Sequence, residues 1–155
     1  MKRQQAGFTL IELVVVIIIL SVLAAFALPR FINLGRDARV ASVDGVAGNV
    51  RAAVAIVQSR YLATGITTAA GSPVTMLDGT TVAVTTGAAG GIPTAANTGI
   101  GNALQSGNNL QPVDGYNTTY AATTTIRPLV GGVAGTCEVQ YVAATGAVTA
   151  QTGGC

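Results

Sequence analysis

From Phe8 to Leu28 the chain is apolar, broken only by Thr9, Glu12 and Ser21. As a helix at about 1.5 Å per residue, this run spans roughly 32 Å, enough to cross a bilayer core of about 30 Å. It is apolar on every side and too long for the core of a small domain, which argues against a buried core helix. A secretory signal peptide would carry a shorter apolar stretch, and Ala24-Ala25-Phe26-Ala27 offers only a weak cleavage site. Glu12 argues against a discarded signal as well. A carboxylate inside a membrane costs a few kcal/mol and normally has a partner.

Beyond Pro29 the pattern changes from uniform to periodic. Ile32, Val43, Val46, Val50, Val54, Val57 and Tyr61 recur at spacings near three and four, which predicts an amphipathic helix to about Leu62. Gly35, Gly45 and Gly48 weaken it by about 1 kcal/mol each relative to Ala. Pro29 lacks an amide hydrogen and crowds the preceding turn, so a kink or local loosening is expected there, not necessarily an end. Taken together, the two segments predict a helix of about 55 residues, roughly 80 Å if straight. Its first half needs lipid or other subunits to cover it.

From Thr64 onward the chain is rich in Thr and Gly and holds only four charged residues, Asp78, Asp114, Arg127 and Glu138. Val74–Leu77 and Thr80–Thr86 flank Asp78-Gly79, which reads as a two-residue hairpin turn. Thr119–Ile126 alternates weakly, and the segment from Cys137 to Val142 alternates well. Thr145-Gly146 then turns into Ala147–Gln151. These signals predict an antiparallel sheet packed on the second half of the long helix. A Gly/Ala/Asn-rich connection, Gly87–Gly107, carries a short helical turn near Asn102–Leu104.

Composition narrows the chemistry. The chain has 155 residues, 50% of them apolar and only 9% charged, with a net charge of +2. A soluble domain carries about 25% charged residues, so a membrane segment, an assembly, or both are implied. There is no His, which removes His-dependent triads, bases and metal ligands. Cys137 and Cys155 are too few for a Cys-based zinc site. Lys2 is the single Lys, no Gly-rich loop precedes Lys-Ser or Lys-Thr, and the charge is too scattered for a nucleic-acid footprint. A membrane-anchored enzyme has almost no tools here, and no cofactor is implied. The arginines of residues 30–62 (Arg30, Arg36, Arg39, Arg51, Arg60) outnumber Asp37 and Asp44, whereas the head is slightly acidic. A staggered array would bring basic stalk near acidic head.

Gly7-Phe8-Thr9-Leu10-Ile11-Glu12, after a short basic leader and before an apolar helix with Pro29 at its end, resembles the type IV prepilin signature. The resemblance implies an α+β, type IV pilin-like fold: a long N-terminal helix whose C-terminal half packs on a small antiparallel sheet. It divides the chain into a leader at 1–7, a transmembrane and filament-core helix at 8–29, an amphipathic helix at 30–62 and a β-rich head at 63–155. It implies cleavage between Gly7 and Phe8 by a prepilin peptidase, N-methylation of Phe8, and extraction from membrane lipid into a homopolymer by assembly machinery in the inner membrane. Glu12 then has an assembly role, pairing with the Phe8 ammonium of a neighbouring subunit. An intrachain pair within one helix turn, or a protonated carboxyl, remains the alternative.

Lys2 and Arg3 favour a cytoplasmic N-terminus, while Arg30, Arg36 and Arg39 oppose an outside C-terminus. The outside assignment rests on the resemblance and on the cysteines, a pair expected to oxidise outside the cytoplasm. The pair also matches the C-terminal disulfide loop of type IV pilin heads, with free buried thiols as the alternative. Asp78-Gly79-Thr80-Thr81-Val82 and the terminal Cys-x-Val-x-Tyr…Gly-Cys resemble, more narrowly, mannose-sensitive haemagglutinin-type pilins. The expected function is structural: the subunit of a type IV pilus, inserted once in the inner membrane as a precursor and then extracellular in the filament. A pseudopilin of a type II secretion system shares the same N-terminus.

Overall fold

The computed structural model describes residues 7–31, 33–65, 73–85, 90–104 and 113–155. They fall into an N-terminal unit reaching Asp37 and a second unit, Ala38–Cys155.

The first unit contains α1 (Leu10–Phe31), whose apolar side chains from Leu10 to Ala27 are unburied within the chain. α1 runs through Pro29 and ends two residues beyond it, and α2 (Leu34–Ala63) begins anew. The single long helix expected from the sequence is therefore two helices. A proline leaves one carbonyl of the preceding turn without its donor and crowds it, which makes an ending just beyond it cheap. Asn33 opens the next helix, its carbonyl accepting the Asp37 amide at 3.0 Å. Ile32, placed on the apolar stripe, lies outside the described residues.

The second unit is built on α2. Val43, Val46, Ala47, Val50, Ala53, Val54 and Val57 are buried along one stripe. Each Val removed from water contributes about 1.5–3 kcal/mol. Against this stripe lies a four-stranded antiparallel sheet of consecutive neighbours. Its strands are β3 (Tyr116–Thr119), β4 (Thr123–Pro128), β5 (Glu138–Val142) and β6 (Ala147–Gln151). Ile126, Val139 and Tyr141 are fully buried between sheet and helix. The stretch expected as one strand, Thr119–Ile126, is a hairpin. Thr119 pairs with Thr125, and the chain turns through Tyr120-Ala121-Ala122 without a glycine, proline or asparagine to signal it.

A smaller hairpin, β1 (Val74–Thr75) and β2 (Thr81–Val82), covers the far end of α2. Val74, Val82 and Val84 close a second core cluster with Val57, flanked by Tyr61 and Met76. Its turn is longer than the two-residue loop expected. The Met76 amide bonds the Thr80 carbonyl and the Gly79 amide bonds the Met76 carbonyl, so Leu77, Asp78 and Gly79 form a three-residue loop. Gly79 takes φ +84°, the left-handed position such loops require, and Asp78 Oδ1 accepts the Thr80 amide at 2.9 Å. Residues 83–85 then bond back to 92–98. The helical turn expected near Asn102–Leu104 begins earlier, as a wide π-type turn over Asn97–Gly101. The rest of the Gly87–Gly107 connection falls partly outside the described residues.

Candidate functional site

The residues singled out in the sequence lie in two places, one in each unit. At the start of α1, Gly7 and Phe8 are exposed, Phe8 almost fully at 92%. Thr9 caps the helix. Its amide and its hydroxyl both donate to Glu12 Oε2 at 2.8 Å, and the Glu12 amide donates to Thr9 Oγ1 at 3.3 Å. This is a capping box, Thr at the cap and Glu three residues on, satisfying amides that a helix start leaves open. Glu12 is thus already engaged inside its own chain through one oxygen. Among the described residues Oε1 has no hydrogen-bond partner. Phe8, Ile11, Val15 and Val16 line a shallow apolar depression around the carboxylate. A second charged group entering it would meet Glu12 against apolar side chains.

In the second unit Cys137 and Cys155 are joined by a disulfide, with Cα atoms 4.9 Å apart. The bond ties the residue before β5 to the segment after β6. Arg39 of α2 closes the same corner, Nε donating to the Cys155 carbonyl at 2.8 Å. Two further arginines hold the head. Arg51 donates to the Val148 carbonyl and Arg60 to the Thr75 carbonyl, at 3.2 and 3.3 Å.

One ion pair was not anticipated. Glu138, 2% exposed, accepts Arg127 Nη2 at 2.9 Å and Nε at 3.2 Å on one oxygen, and Gln140 Nε2 at 2.9 Å on the other. Burial pushes this carboxyl up, but the Gln140 and Arg127 hydrogen bonds, the Gly135 amide and the Arg127 charge outweigh it and hold it below its ordinary value. The available signal was that the head's one Arg and one Glu lie on neighbouring strands. The pair leaves Asp78 and Asp114 as the exposed acids of the head, and three arginines of α2 are spent on the chain's own carbonyls. The ion pair leaves the head's balance at −2, carried by Asp78 and Asp114, and the arginines keep their charge while bonded to neutral carbonyls. Among the described residues no three His, Cys, Asp or Glu side chains converge as for a metal.

Residues 2–28 match the model of the prokaryotic N-terminal methylation motif. By its N-terminal region, the chain is similar to type IV pilins. It is similar to the type IV narrow pilus major component of Thermus thermophilus, 50% identical over 60 residues, 37% of this chain and 52% of that protein. It is also similar to the type IV major fimbrial protein of Dichelobacter nodosus, 43% identical over 54 residues, 35% of each chain. The type II secretion system core protein G of Pseudomonas aeruginosa is 46% identical over 44 residues, 28% of this chain and 31% of that one. The chain thus spans about half the length, or less, of the relatives it matches, and no solved structure matches it. None of these three relatives is described as a mannose-sensitive haemagglutinin pilin, and that narrower resemblance supports no functional conclusion.

Proposed function

We propose that this chain is the repeating subunit of a type IV pilus and that its mechanism is assembly, without bond chemistry. The observation that carries the reading is α1: an apolar helix with no cover inside its own chain, bearing a single carboxylate in its first turn beneath the exposed Gly7–Phe8 junction. Such a helix is stable only in lipid or among its own kind. The precursor rests in the inner membrane through α1, N-terminus cytoplasmic. Cleavage after Gly7 releases an ammonium on Phe8, one turn from Glu12, and that nitrogen is then N-methylated. In a dry filament core an unpaired ammonium or carboxylate is costly, and Oε1 of Glu12, which has no hydrogen-bond partner among the described residues, gives a neighbour's Phe8 terminus a place to dock. The machinery that extracts the subunit works on α1, and the disulfide-closed head forms the outer wall.

A strain lacking the chain, imaged for surface filaments and complemented with an epitope-bearing copy, tests this. Labelled filaments along their whole length support the subunit role, and their absence with normal filaments refutes it. The likeness to the type II secretion core protein favours a second reading, a short periplasmic piston. In that case the deletion abolishes protein secretion and leaves filaments untouched.

A further inference from the structure

Two apolar features of the second unit stand apart from its core, one a projection and one a groove. Between β4 and β5 the turn Leu129-Val130-Gly131-Gly132-Val133 leaves Leu129 66%, Val130 83% and Val133 50% exposed. Single exposed apolar residues are ordinary, but three in five positions of one turn are a patch. The turn is also held. The Leu129 amide donates to the Gly115 carbonyl at 2.9 Å, and the Val133 carbonyl accepts the Thr136 and Cys137 amides at 3.2 and 2.8 Å. Gly131, with φ +73°, packs against Arg39, where a Cβ would come within 2.8 Å of the Arg39 Cδ. The groove lies where the β1–β2 hairpin leans on the end of α2. It has a volume of about 570 Å³ and is lined by Ile56, Arg60, Ala63, Met76, Leu77 and Asp78. Leu77 on its rim is 91% exposed and Ile56 56%. From Arg39 to Arg60 α2 rises roughly 32 Å. Turn and groove therefore sit at different levels of one compact unit, too far apart for the turn to fill the groove of its own chain.

We propose that the Leu129–Val133 turn of one copy seats in the Ile56–Met76–Leu77 groove of a second copy, a contact between heads that repeats along the filament. The proposal rests on the polymer of identical subunits proposed above. Connectivity favours a second copy as the occupant. A patch that fits a groove elsewhere on the same unit makes a heterologous contact, in which every copy offers one of each and the contact propagates without closing. Turn against turn would close a pair and leave both grooves empty. Charge is consistent with it. Asp114 stands beside the turn through the Gly115–Leu129 bond and Arg39 lies against it, while Arg60 and Asp78 line the groove. Arg127, which also borders the turn at Gly132, is paired with Glu138. Each surface thus brings one unpaired arginine and one aspartate, so docking buries no net charge and offers opposite charges on both sides. Size points the same way. Leu129, Val130 and Val133 present on the order of 200 Å² of apolar surface. A partner arriving from solution needs about 800 Å² on its side for a stable complex. So small a contact holds only between copies that are already tethered, where the effective concentration reaches about the millimolar range. The uncovered α1 supplies that tether.

The chain's two cysteines are bonded to each other, so introduced thiols report the contact. Val130→Cys and Leu77→Cys are combined in one full-length chain, both at exposed positions, and sheared filaments are treated with a short bismaleimide. The expected result is a ladder of covalent multimers on a denaturing gel. Each single variant is expected to run as monomer, and the two single variants co-assembled are expected to stop at dimer. Leu129→Cys with Leu77→Cys is the second pair and is expected to behave alike. Filaments that contain the chain but give no ladder with either pair would overturn the contact and leave the subunit role standing; filaments that lack the chain would remove both. Dimers from Val130→Cys alone would overturn it in favour of a symmetric turn-to-turn pair. An equal ladder from Val130→Cys with Thr149→Cys, exposed on the edge strand β6, would overturn the assignment to the groove. A Val130→Cys thiol shielded from a water-soluble maleimide in membranes before assembly, and open to it in filaments, would overturn it in favour of lipid.

Discussion

Thr9 and Glu12 hold one another across the first turn of α1, each donating a backbone amide to the other's side chain. The one carboxylate of the apolar segment therefore has a local duty as well as the intersubunit duty proposed for it. The two are separable. Glu12→Gln keeps an acceptor oxygen for Thr9 and removes only the charge. Thr9→Ala keeps the charge and removes the cap, at about 1 kcal/mol. Glu12→Gln is expected to lower the yield of sheared filaments severely at any salt concentration while leader cleavage continues. Thr9→Ala is expected to be milder. Normal filament yield from Glu12→Gln would confine Glu12 to capping.

The mature chain is expected to begin at Phe8 with a methylated amine. The junction is open: both residues are exposed, and nothing lies within 4 Å of the position a Gly7 Cβ would take. Intact mass and peptide sequencing of purified filaments check this. A start at Met1, or a cut after Ala27, would contradict it.

The helices were legible, apart from the break between them, because their signals are strong and local: an apolar run interrupted only by Thr9, Glu12 and Ser21, then a stripe of valines at helical spacing that is the buried face of α2. The sheet was legible where polar and apolar positions alternate cleanly, as in β5, and where the Thr145-Gly146 turn leads from it into β6. It was misread over Thr119–Ile126, where threonine serves both faces. Thr118 and Thr124 are both buried, so the pattern carries no sign of the turn between them. The Arg127–Glu138 contact depends on the β4–β5 register, in which Ile126 sits opposite Val139, and no local pattern encodes it. The capping box is written in the sequence as Thr9-x-x-Glu12, a pattern shared with the intersubunit role expected for Glu12.

Reducing the Cys137–Cys155 bond is expected to destabilise the head by about 3 kcal/mol, the loop-entropy contribution for a closure of this size. Urea unfolding of the detergent-solubilised protein, with and without reductant, measures it. Arg39→Gln adds a second reading. Its Nε bonds the Cys155 carbonyl in the same corner, so the two losses are expected to fall short of additive. Strict additivity would mean that bond and arginine act independently.

Acid is expected to weaken the head through Glu138. Its carboxyl sits below its ordinary value of 4.5 in the folded chain, so near that pH the unfolded chain binds more protons than the folded one. Stability therefore rises with pH through this window. The contribution is complete above the unfolded value and is lost as pH falls through the lowered folded one. Glu138→Gln keeps the shape and an acceptor for Arg127 but cannot ionise, so its acid limb is expected to be flatter than that of the parent. Arg127→Ala is expected to cost about 1–3 kcal/mol at neutral pH, because it strips the charged hydrogen bonds from a buried carboxylate, and to shrink in effect in acid as that carboxylate takes up a proton. Thermal unfolding of the three proteins from pH 3 to 7 tests the account. Parallel acid limbs for the parent and Glu138→Gln would place the acid sensitivity elsewhere in the chain.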